Sequence, residues 1–348
     1  MPEISRASLL ATLILSLSFP AYAASCPRPD ANGHRVFPDG AILMSTGLQV
    51  NPDGAAASYT PGDHGYTYMT NGVNLIENGR SIPCYKKVNN ANCSAKWAAA
   101  ETGGFGPGTP EFCVFAMEVE PLQPGQPLVI CENDRGRSIA GNGKGRPKIG
   151  PDVALAMGGN GPTYRSTTSL KHTRDGKAIF VDSASIPGLV VPRARRKLVG
   201  AIAWVRYGER SGFAIVNDTG PAFGEGSVAL HQLVRNGRIG PVQAIGPIPL
   251  DARCKAAETG LQPPFVTLLA DRTRDVCKAG HTPQGPVEVR AYSGVKNGVT
   301  SIILANVKPP MQGDRVTEEL TADRLGELAR AAGYTMEKLQ EMAACLSR

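Results

Sequence analysis

The 348-residue sequence has few aromatic residues and, after its first 20 positions, no long apolar run. Only 6% of the residues are Phe, Trp or Tyr, whereas 40 are Gly and 28 are Pro. This composition disfavours long helices and is typical of many turns and short strands. Because no later segment holds 18 consecutive apolar residues, the sequence predicts no transmembrane segment in the rest of the chain.

The motifs of common cofactor and metal sites are also absent. The eight cysteines form no CxxC and the five histidines form no HExxH, so a zinc site has no support. The glycine-rich GNGKGRP lacks the Lys-Ser/Thr ending of a phosphate loop, and no GxSxG occurs. The sequence therefore predicts no cofactor and no metal ion.

The first residues have the pattern of a secretory signal. An apolar stretch at 9–19 is followed by Ala21-Tyr22-Ala23, which is the small-x-small pattern of a cleavage site. We expect residues 1–23 to be a signal peptide and the mature protein to be secreted or periplasmic. Cleavage before Cys26, as in a lipoprotein, is the alternative.

Cysteine usage predicts disulfide bonds. All eight cysteines follow the signal segment, and an even number is typical of an oxidising compartment. The sequence itself does not choose among the pairings. Our prediction is local pairing, namely Cys84 with Cys93, Cys113 with Cys131, and Cys254 with Cys277.

The formal net charge of +7 suits an anionic partner. Basic residues cluster in PRARRK at 192–197 and in RGRSIAGNGKGRPK at 135–148. Aromatic residues, which form the stacking platform of many nucleic-acid surfaces, are not interleaved with them. We therefore predict solvated basic loops and no nucleic-acid partner.

Short segments with the residue types of β-strands follow one another between positions 164 and 218. They are rich in β-branched or aromatic residues and are bounded by Gly, Pro or charges. The segments are YRSTTSL, AIFVDSASI, GLVVP, LVGAIAWVRY and GFAIVND. Because no helix lies between them, they predict a small barrel or a sandwich.

The stretch NDTGPAFGEGS, residues 217–227, places two carboxylates at the end of the last strand. Asp218 lies where the strand ends, a Gly/Pro turn follows, and Glu225 comes just before Ser227, a good N-cap for a helix. Such a turn can hold the two acids at the roughly 6.5 to 9.5 Å that an inverting glycosidase leaves for its water. An ordinary surface turn is the alternative, and spacing alone does not separate the two.

The rest of the chain predicts three helices and a hairpin. VALHQLVRN follows Ser227 and is closed by Gly237. VEVRAYSG and VTSIILANV predict two strands around a turn at Lys296-Asn297-Gly298. Beyond Pro310, TADRLGELARAAG and TMEKLQEMAACL have apolar residues at helical spacing and predict a helical pair.

The joint order of these segments resembles the chitosanases of glycoside hydrolase family 75. Members of that family carry an Asp at a strand end and then, after a Gly/Pro turn, a G-E-[AG]-S element that opens a helix. FPDGAILMSTGLQVNPDGAAASYTPGDHGYTYMTNG is similar to the early region of the family, and YRSTTSL with FVDSASIPGLVVP is similar to its strands. The likeness covers about 36–80 and 162–236.

The resemblance implies that Asp218 and Glu225 cleave β-1,4 linkages of a chitosan-type polysaccharide with inversion. Glu225 is then the expected general acid and Asp218 the expected base, with an exchange of roles left open. The further candidates for contact with the sugar are Asp53, Asp182, Tyr164 and Tyr207. The expected partner is a polysaccharide, and the protein is expected to be a monomer.

These features together predict a mainly β fold. We expect a small six-stranded, double-psi-like barrel with a few helices, a disulfide-bearing insertion and a C-terminal helical pair. The predicted boundaries are 24–310 for the catalytic barrel domain, with the insertion at about 84–160, and 311–348 for the helical tail.

Three other functions fit part of the sequence. FAIVNDTGP is similar to the strand end of double-psi-barrel lytic transglycosylases, which cut anionic peptidoglycan with one Asp. Asp-Thr-Gly is also the signature of aspartic proteases, but a single-chain protease needs a second copy, and Asp182-Ser183-Ala184 lacks the glycine. A glycan-binding wall protein without catalysis is the third.

Overall fold

The computed structural model of the protein describes residues 26–55, 58–59, 72–121, 123–126, 131, 143–148, 164–240, 253–255, 274–278 and 294–347. The predicted signal peptide lies outside them. The strands are β1 (Arg35–Val36), β2 (Ile42–Asn51), β3 (Val73–Glu77), β4 (Arg80–Pro83), β5 (Glu111–Val114), β6 (Val119–Glu120), β7 (Gly143–Lys144), β8 (Arg146–Pro147), β9 (Lys171–Arg174), β10 (Lys177–Phe180), β11 (Gly188–Pro192), β12 (Ile202–Tyr207), β13 (Arg210–Gly220), β14 (Glu225–Ser227), β15 (Arg253–Lys255), β16 (Arg274–Lys278), β17 (Val295–Leu304), β18 (Met311–Gln312) and β19 (Arg315–Val316). The α-helices are α1 (Lys87–Thr102), α2 (Val228–Asn236), α3 (Ala322–Ala331) and α4 (Met336–Ala343), and short 3-10 helices cover Arg193–Leu198 and Ala344–Ser347.

Six strands close into a barrel. Their hydrogen-bonded order is β2, β14, β11, β13, β12 and β17, and β17 pairs back with β2. The pairs β11–β13 and β14–β2 are parallel, and the other four are antiparallel. Closure leaves the barrel without a free sheet edge. The closed barrel confirms the predicted mainly β fold.

Small and branched apolar side chains fill the barrel interior. Ala203 and Val205 on β12 and Val216 on β13 are buried in one cluster with Leu230 of α2. Successive residues of a strand point to opposite faces, so Trp204, between the first two, points outward. The packing therefore distinguishes the inner face of the barrel wall from the outer one.

The two C-terminal helices cover part of the outer face. Leu325 of α3 and Leu339 of α4 pack with Trp204 in a second apolar cluster. Each helix begins after a threonine, Thr321 or Thr335, whose side chain accepts a hydrogen bond from the first turn. The structure confirms the predicted helical pair. None of the helices in the described ranges has the length and apolar character needed to cross a membrane.

A smaller lobe begins before the predicted insertion does. Strands β3, β4, β5 and β7 form a four-stranded sheet, and α1 shares an apolar cluster with it. Trp97 of α1 makes edge-to-face contacts with Phe105, Phe112 and Tyr164 at ring-centroid distances of 5.0, 5.0 and 5.8 Å. The sequence placed the start of the insertion at about 84, but residues 73–83 already form the first two strands of the lobe.

Two of the predicted disulfide bonds are present in this lobe. Cys84–Cys93 and Cys113–Cys131 confirm the prediction of local pairing. The third predicted pair joins Cys254 to Cys277, whose side chains lie outside the described residues. The backbones that carry them are paired as β15 and β16.

A third disulfide bond joins the two ends of the described chain. Cys26 is bonded to Cys345, which is 319 residues away, and local reasoning did not predict this pair. A lipoprotein would carry its lipid on the sulfur of Cys26. Because that sulfur is bonded to Cys345, the lipoprotein alternative is wrong.

The predicted hairpin near residue 297 is a bulge within one strand. Gly298 has the positive φ of a turn residue, at 78°. However, β17 pairs with β2 both at Val295 and from Val299 to Ile303, with a shift of register between them. The extra residues bulge out, and the chain does not reverse. The predicted turn at Lys296-Asn297-Gly298 is therefore wrong, whereas the first predicted strand, VEVRAYSG, lies outside the described residues except for Gly294.

We expect loss of the Cys26–Cys345 bond to lower the free energy of unfolding by about 2 to 4 kcal/mol. It closes a much longer loop than Cys84–Cys93, and a longer closed loop restricts the unfolded chain more. Urea unfolding of Cys26→Ala/Cys345→Ala, with Cys84→Ala/Cys93→Ala as the matched control, measures the difference. An equal or greater loss in the control would contradict this prediction.

Candidate functional site

A β-bulge places Asp218 on the outer face of the barrel wall. Leu189 of β11 pairs with Val216 of β13, and both side chains face the interior. The next residue of β11, Val190, pairs with Asp218, so Asn217 is the extra residue of the bulge. Val190 follows an inward residue and points outward, and Asp218 opposes it. Without the extra residue, Asp218 would point into the apolar interior.

Glu225 lies on the other side of Val190. It is the partner of Val190 in the antiparallel pair of β14 with β11. Its neighbour Gly226 faces inward, since a Cβ there would lie 2.9 Å from the side chain of Leu48. Glu225 therefore points outward, as Asp218 does. The two acids lie on the strands on either side of Val190. These strands are two strand spacings apart, so the Cα atoms of Asp218 and Glu225 are about 10 Å apart.

The turn between the acids folds the Glu225 carboxylate back against β13. A Cβ on Gly220 would lie 3.6 and 3.7 Å from the two carboxylate oxygens of Glu225. Gly220 is two residues beyond Asp218, which is about 7 Å along a strand. Gly224 has a φ of 106°, which a residue with a side chain rarely adopts. This corner gathers both carboxylates on one face.

Three hydrogen bonds hold the side chain of Asp218. Its Oδ1 accepts from the backbone N–H of Thr219 at 2.7 Å, and from the backbone N–H and hydroxyl of Ser169 at 3.0 and 2.7 Å. Burial raises the pKa of Asp218, and these bonds and the positive charge of Arg193 oppose the rise. The bonds orient the group and favour its ionised form.

Asn51, at the end of β2, connects Glu225 to a third acid. Its amide donates to Oε2 of Glu225 at 3.3 Å, and its Oδ1 accepts from the backbone N–H of Asp53 at 2.7 Å. Burial raises the pKa of Glu225 and the charge of Asp218 adds to the rise, whereas Asn51 and Arg193 act against it.

Hydroxyl groups hold the turn that carries Asp53. The carbonyl of Pro52 accepts from the hydroxyls of Ser58 and Ser183 at 3.0 and 2.7 Å. The N–H of Gly54 donates to the hydroxyl of Ser166 at 2.8 Å. The Ser166 and Ser183 bonds join the turn to residues 112 and 131 positions away, so they fix it relative to distant parts of the fold.

Gly54 is required in this turn. Its φ is 91°, and a Cβ would lie 2.0 Å from the backbone oxygen of Val181. The backbone therefore packs closely behind Asp53, and the carboxyl group is presented from a tightly fitted loop.

The three carboxyl groups affect one another's ionisation. Burial, with the negative charges of Asp218 and Glu225, raises the pKa of Asp53 to about 7, although Ser166 and Asn51 stabilise its ionised form. Protein surrounds the three groups on most sides, yet each residue keeps part of its surface accessible to solvent. Near neutral pH the cluster therefore binds a proton that isolated carboxyl groups would release.

Sequence reasoning missed Tyr59, Asn51 and Ser169. Tyr59 forms an isolated bridge with Tyr164, and burial raises its pKa well above the ordinary value, with further effects from the charges of Asp53 and Asp218. Its hydroxyl stays protonated as a neutral donor. Tyr59 lies in the segment that carries the family resemblance, but no local pattern distinguishes it from a packed tyrosine.

The structure brings three of the six predicted site residues together, namely Asp53, Asp218 and Glu225. Asp182 instead caps its own turn, where its two oxygens accept from the N–H of Ala184 at 2.9 Å and the hydroxyl of Ser185 at 2.8 Å. Such bonds are typical of a structural Asp.

The two predicted tyrosines do not line the site. Tyr164 is only 1% exposed and packs on Trp97 in the core of the lobe, so its ring is closed to a sugar. Tyr207 pairs with Arg210, eight residues before Asp218 on β13. About 25 Å of strand therefore separates Tyr207 from the carboxyl cluster.

The function has to be inferred from the geometry of the carboxyl cluster. Among the described residues, no group of three or more His, Cys, Asp or Glu side chains is arranged to hold a metal ion. Scans of the chain against known protein families and against curated proteins find no match.

We expect Asp53→Asn to stabilise the protein more at pH 8 than at pH 4. The unfolded pKa of Asp is about 4, and the folded value is raised to about 7. Stability is therefore lost as pH rises between these values, because the unfolded state releases its proton first. Neutral Asn removes this cost, which is on the order of 4 kcal/mol.

Thermal unfolding of wild type and variant at the two pH values measures this effect. A difference in melting temperature that is the same at both pH values would contradict it.

Proposed function

We propose that the protein is a secreted glycoside hydrolase that cleaves β-1,4 linkages of a chitosan-type polysaccharide with inversion. The observation that carries the proposal is the placement of Asp218 and Glu225 on one outer face of the barrel, on either side of Val190. Two carboxyl groups facing a common space are what glycoside hydrolysis requires.

The strands on either side of β11 that carry the pair are the basis for proposing inversion. The Cα atoms lie about 10 Å apart across two strand spacings, and the Glu225 carboxylate folds back towards Gly220. A separation of roughly 6.5 to 9.5 Å leaves room for a water molecule beside the sugar, whereas retaining enzymes hold the groups closer.

The chemistry needs one ionised and one protonated carboxyl group. The ionised group takes a proton from water as the water attacks the anomeric carbon. The protonated group gives its proton to the leaving oxygen as the glycosidic bond breaks. Burial raises the pKa of both Asp218 and Glu225, and the cluster they form with Asp53, whose pKa is raised to about 7, favours retention of a proton.

The negative charge at the site favours the binding of a cationic sugar. A protein with a net charge of +7 repels a polycation in general. The site itself, however, gathers Asp53, Asp218 and Glu225, so an approaching glucosamine polymer meets negative charge there.

Charge at the edge of the site favours a second function, the cleavage of peptidoglycan. Arg193 is exposed and close enough to affect the pKa of both Asp218 and Glu225, and Arg195, Arg196 and Lys197 follow it on the surface. These groups suit an anionic glycan. A lytic transglycosylase-like enzyme would use Asp218 alone as acid and base.

On chitosan, we expect Asp218→Asn and Glu225→Gln each to lower kcat/KM at least about 100-fold, because each removes a group that acts in the transition state. Release of new reducing ends measures the activity. Glu209→Gln is the matched control, since Glu209 is exposed on the turn between β12 and β13, and it should leave activity unchanged.

Activity on peptidoglycan with anhydro products, retained in Glu225→Gln and lost in Asp218→Asn, would support the second function and contradict the first. Wild-type protein that binds glycans but releases no product would contradict both.

A further inference from the structure

The carboxylate of Glu225 is held at one oxygen. Asn51 donates from Nδ2 to Oε2 at 3.3 Å, and no other hydrogen bond from the part of the chain that the structure describes reaches this carboxylate. Asp218, by contrast, receives three hydrogen bonds. A glutamate side chain is longer than an aspartate and loses more conformational freedom when it is ordered. The orientation of Glu225 therefore depends on the contact with Asn51.

The amide of Asn51 is itself fixed in one orientation. Its Oδ1 accepts from the backbone N–H of Asp53 at 2.7 Å, and an N–H group can only donate. Turning the amide over would set Nδ2 against that N–H and Oδ1 against the carboxylate, donor against donor and acceptor against acceptor. The network therefore fixes Nδ2 as the group that faces Glu225.

Strand pairing brings Asn51 to the face of the barrel that carries Glu225. In the parallel pair of β14 with β2, Glu225 is opposite Gln49 and Ser227 is opposite Asn51. Leu48 lies in the interior cluster, and alternate residues of a strand point to opposite faces. Gln49 and Asn51 therefore share the outer face with Glu225, and the barrel wall supports the contact.

The hydrogen bond to Oε2 determines which oxygen of Glu225 carries a proton. The O–H oxygen of a carboxylic acid is a weaker acceptor than its C=O oxygen, so a donor at Oε2 favours a proton on Oε1. Oε1 accepts no hydrogen bond from the described residues, and Glu225 keeps part of its surface accessible to solvent. Oε1 is therefore the oxygen that is available to a bound molecule.

We infer that Asn51 is a positioning residue that holds Oε2 of Glu225 and leaves Oε1 to exchange the proton in the reaction; this rests on the proposed function. If Glu225 is the acid, the Oε1 proton passes to the leaving oxygen as the bond from that oxygen to the anomeric carbon breaks. If Glu225 is the base, Oε1 takes a proton from water as the water oxygen bonds to that carbon. Asn51 has the same role in both cases.

Two substitutions distinguish this role from support of the Asp53 turn. Asn51→Ser keeps an oxygen that can accept from the Asp53 N–H but is too short to donate to Glu225 as well, whereas Asn51→Leu loses both contacts. On chitosan, kcat should fall at least about tenfold in both variants while KM stays within about threefold, because the transition state requires an oriented Glu225.

Ser183→Ala is the matched control. It removes a hydrogen bond to the Pro52 carbonyl in the same turn, and Ser183 makes no hydrogen bond to Glu225. Its kcat should stay within about threefold of wild type. Thermal unfolding shows whether each variant is folded, and if Asn51→Leu is not, the comparison of Asn51→Ser with Ser183→Ala decides.

A ¹³C NMR titration gives a second reading that needs no substrate. Protein is labelled at the Glu carboxyl carbon, and Glu225→Gln assigns the resonance. The Asn51 amide stabilises the ionised form, so the pKa of Glu225 should rise in Asn51→Ser and stay at the wild-type value in Ser183→Ala. The charges of the other two acids and of Arg193 remain in both variants. A role confined to the turn would not produce this difference.

The outcomes separate this inference from the proposed function. Wild-type protein that cleaves no chitosan would overturn the proposed function and the inference together. Active wild type with kcat unchanged in Asn51→Ser and lowered in Asn51→Leu would assign Asn51 to the turn and overturn the inference alone. An unchanged Glu225 pKa in Asn51→Ser would also overturn it.

Discussion

Repulsion among three carboxyl groups is the constraint on which the site depends. Asp53, Asp218 and Glu225 feel one another's charge in a place where burial already disfavours ionisation. Left alone, such groups would move apart into water. The barrel wall and a tightly hydrogen-bonded turn prevent this. The repulsion therefore raises the pKa of the acids, and the cluster retains a proton near neutral pH. Burying these acids lowers the stability of the folded protein, and the same burial shifts their pKa towards the range that acid–base catalysis requires.

A different feature of the backbone positions each of the three acids. The extra residue Asn217 turns Asp218 to the outer face, and the Gly220–Gly224 corner returns Glu225 to the same space. The Asp53 turn is locked by hydroxyls from distant segments and by a glycine that fits behind it. The barrel supplies the rigid support that such a site needs.

The local features of this corner could be predicted from the sequence. Ser227 caps α2 by accepting from the N–H of Leu230 at 3.1 Å, and Gly237 ends it in the left-handed conformation, as expected. The approach of Asn51 to Glu225 joins residues 174 positions apart. It depends on the parallel pairing of β14 with β2, which no periodicity specifies. The bulge at Asn217 and the Cys26–Cys345 bond were missed for the same reason, because long-range register leaves no local pattern.

The central claim is that a cluster carboxyl group keeps its proton near neutral pH. A ¹³C NMR titration of protein labelled at the Asp carboxyl carbon, with Asp53→Asn to assign the resonance, measures this directly. The account predicts that the Asp53 signal titrates with an apparent pKa near 7. Titration near 4, the ordinary value for an Asp, would contradict it.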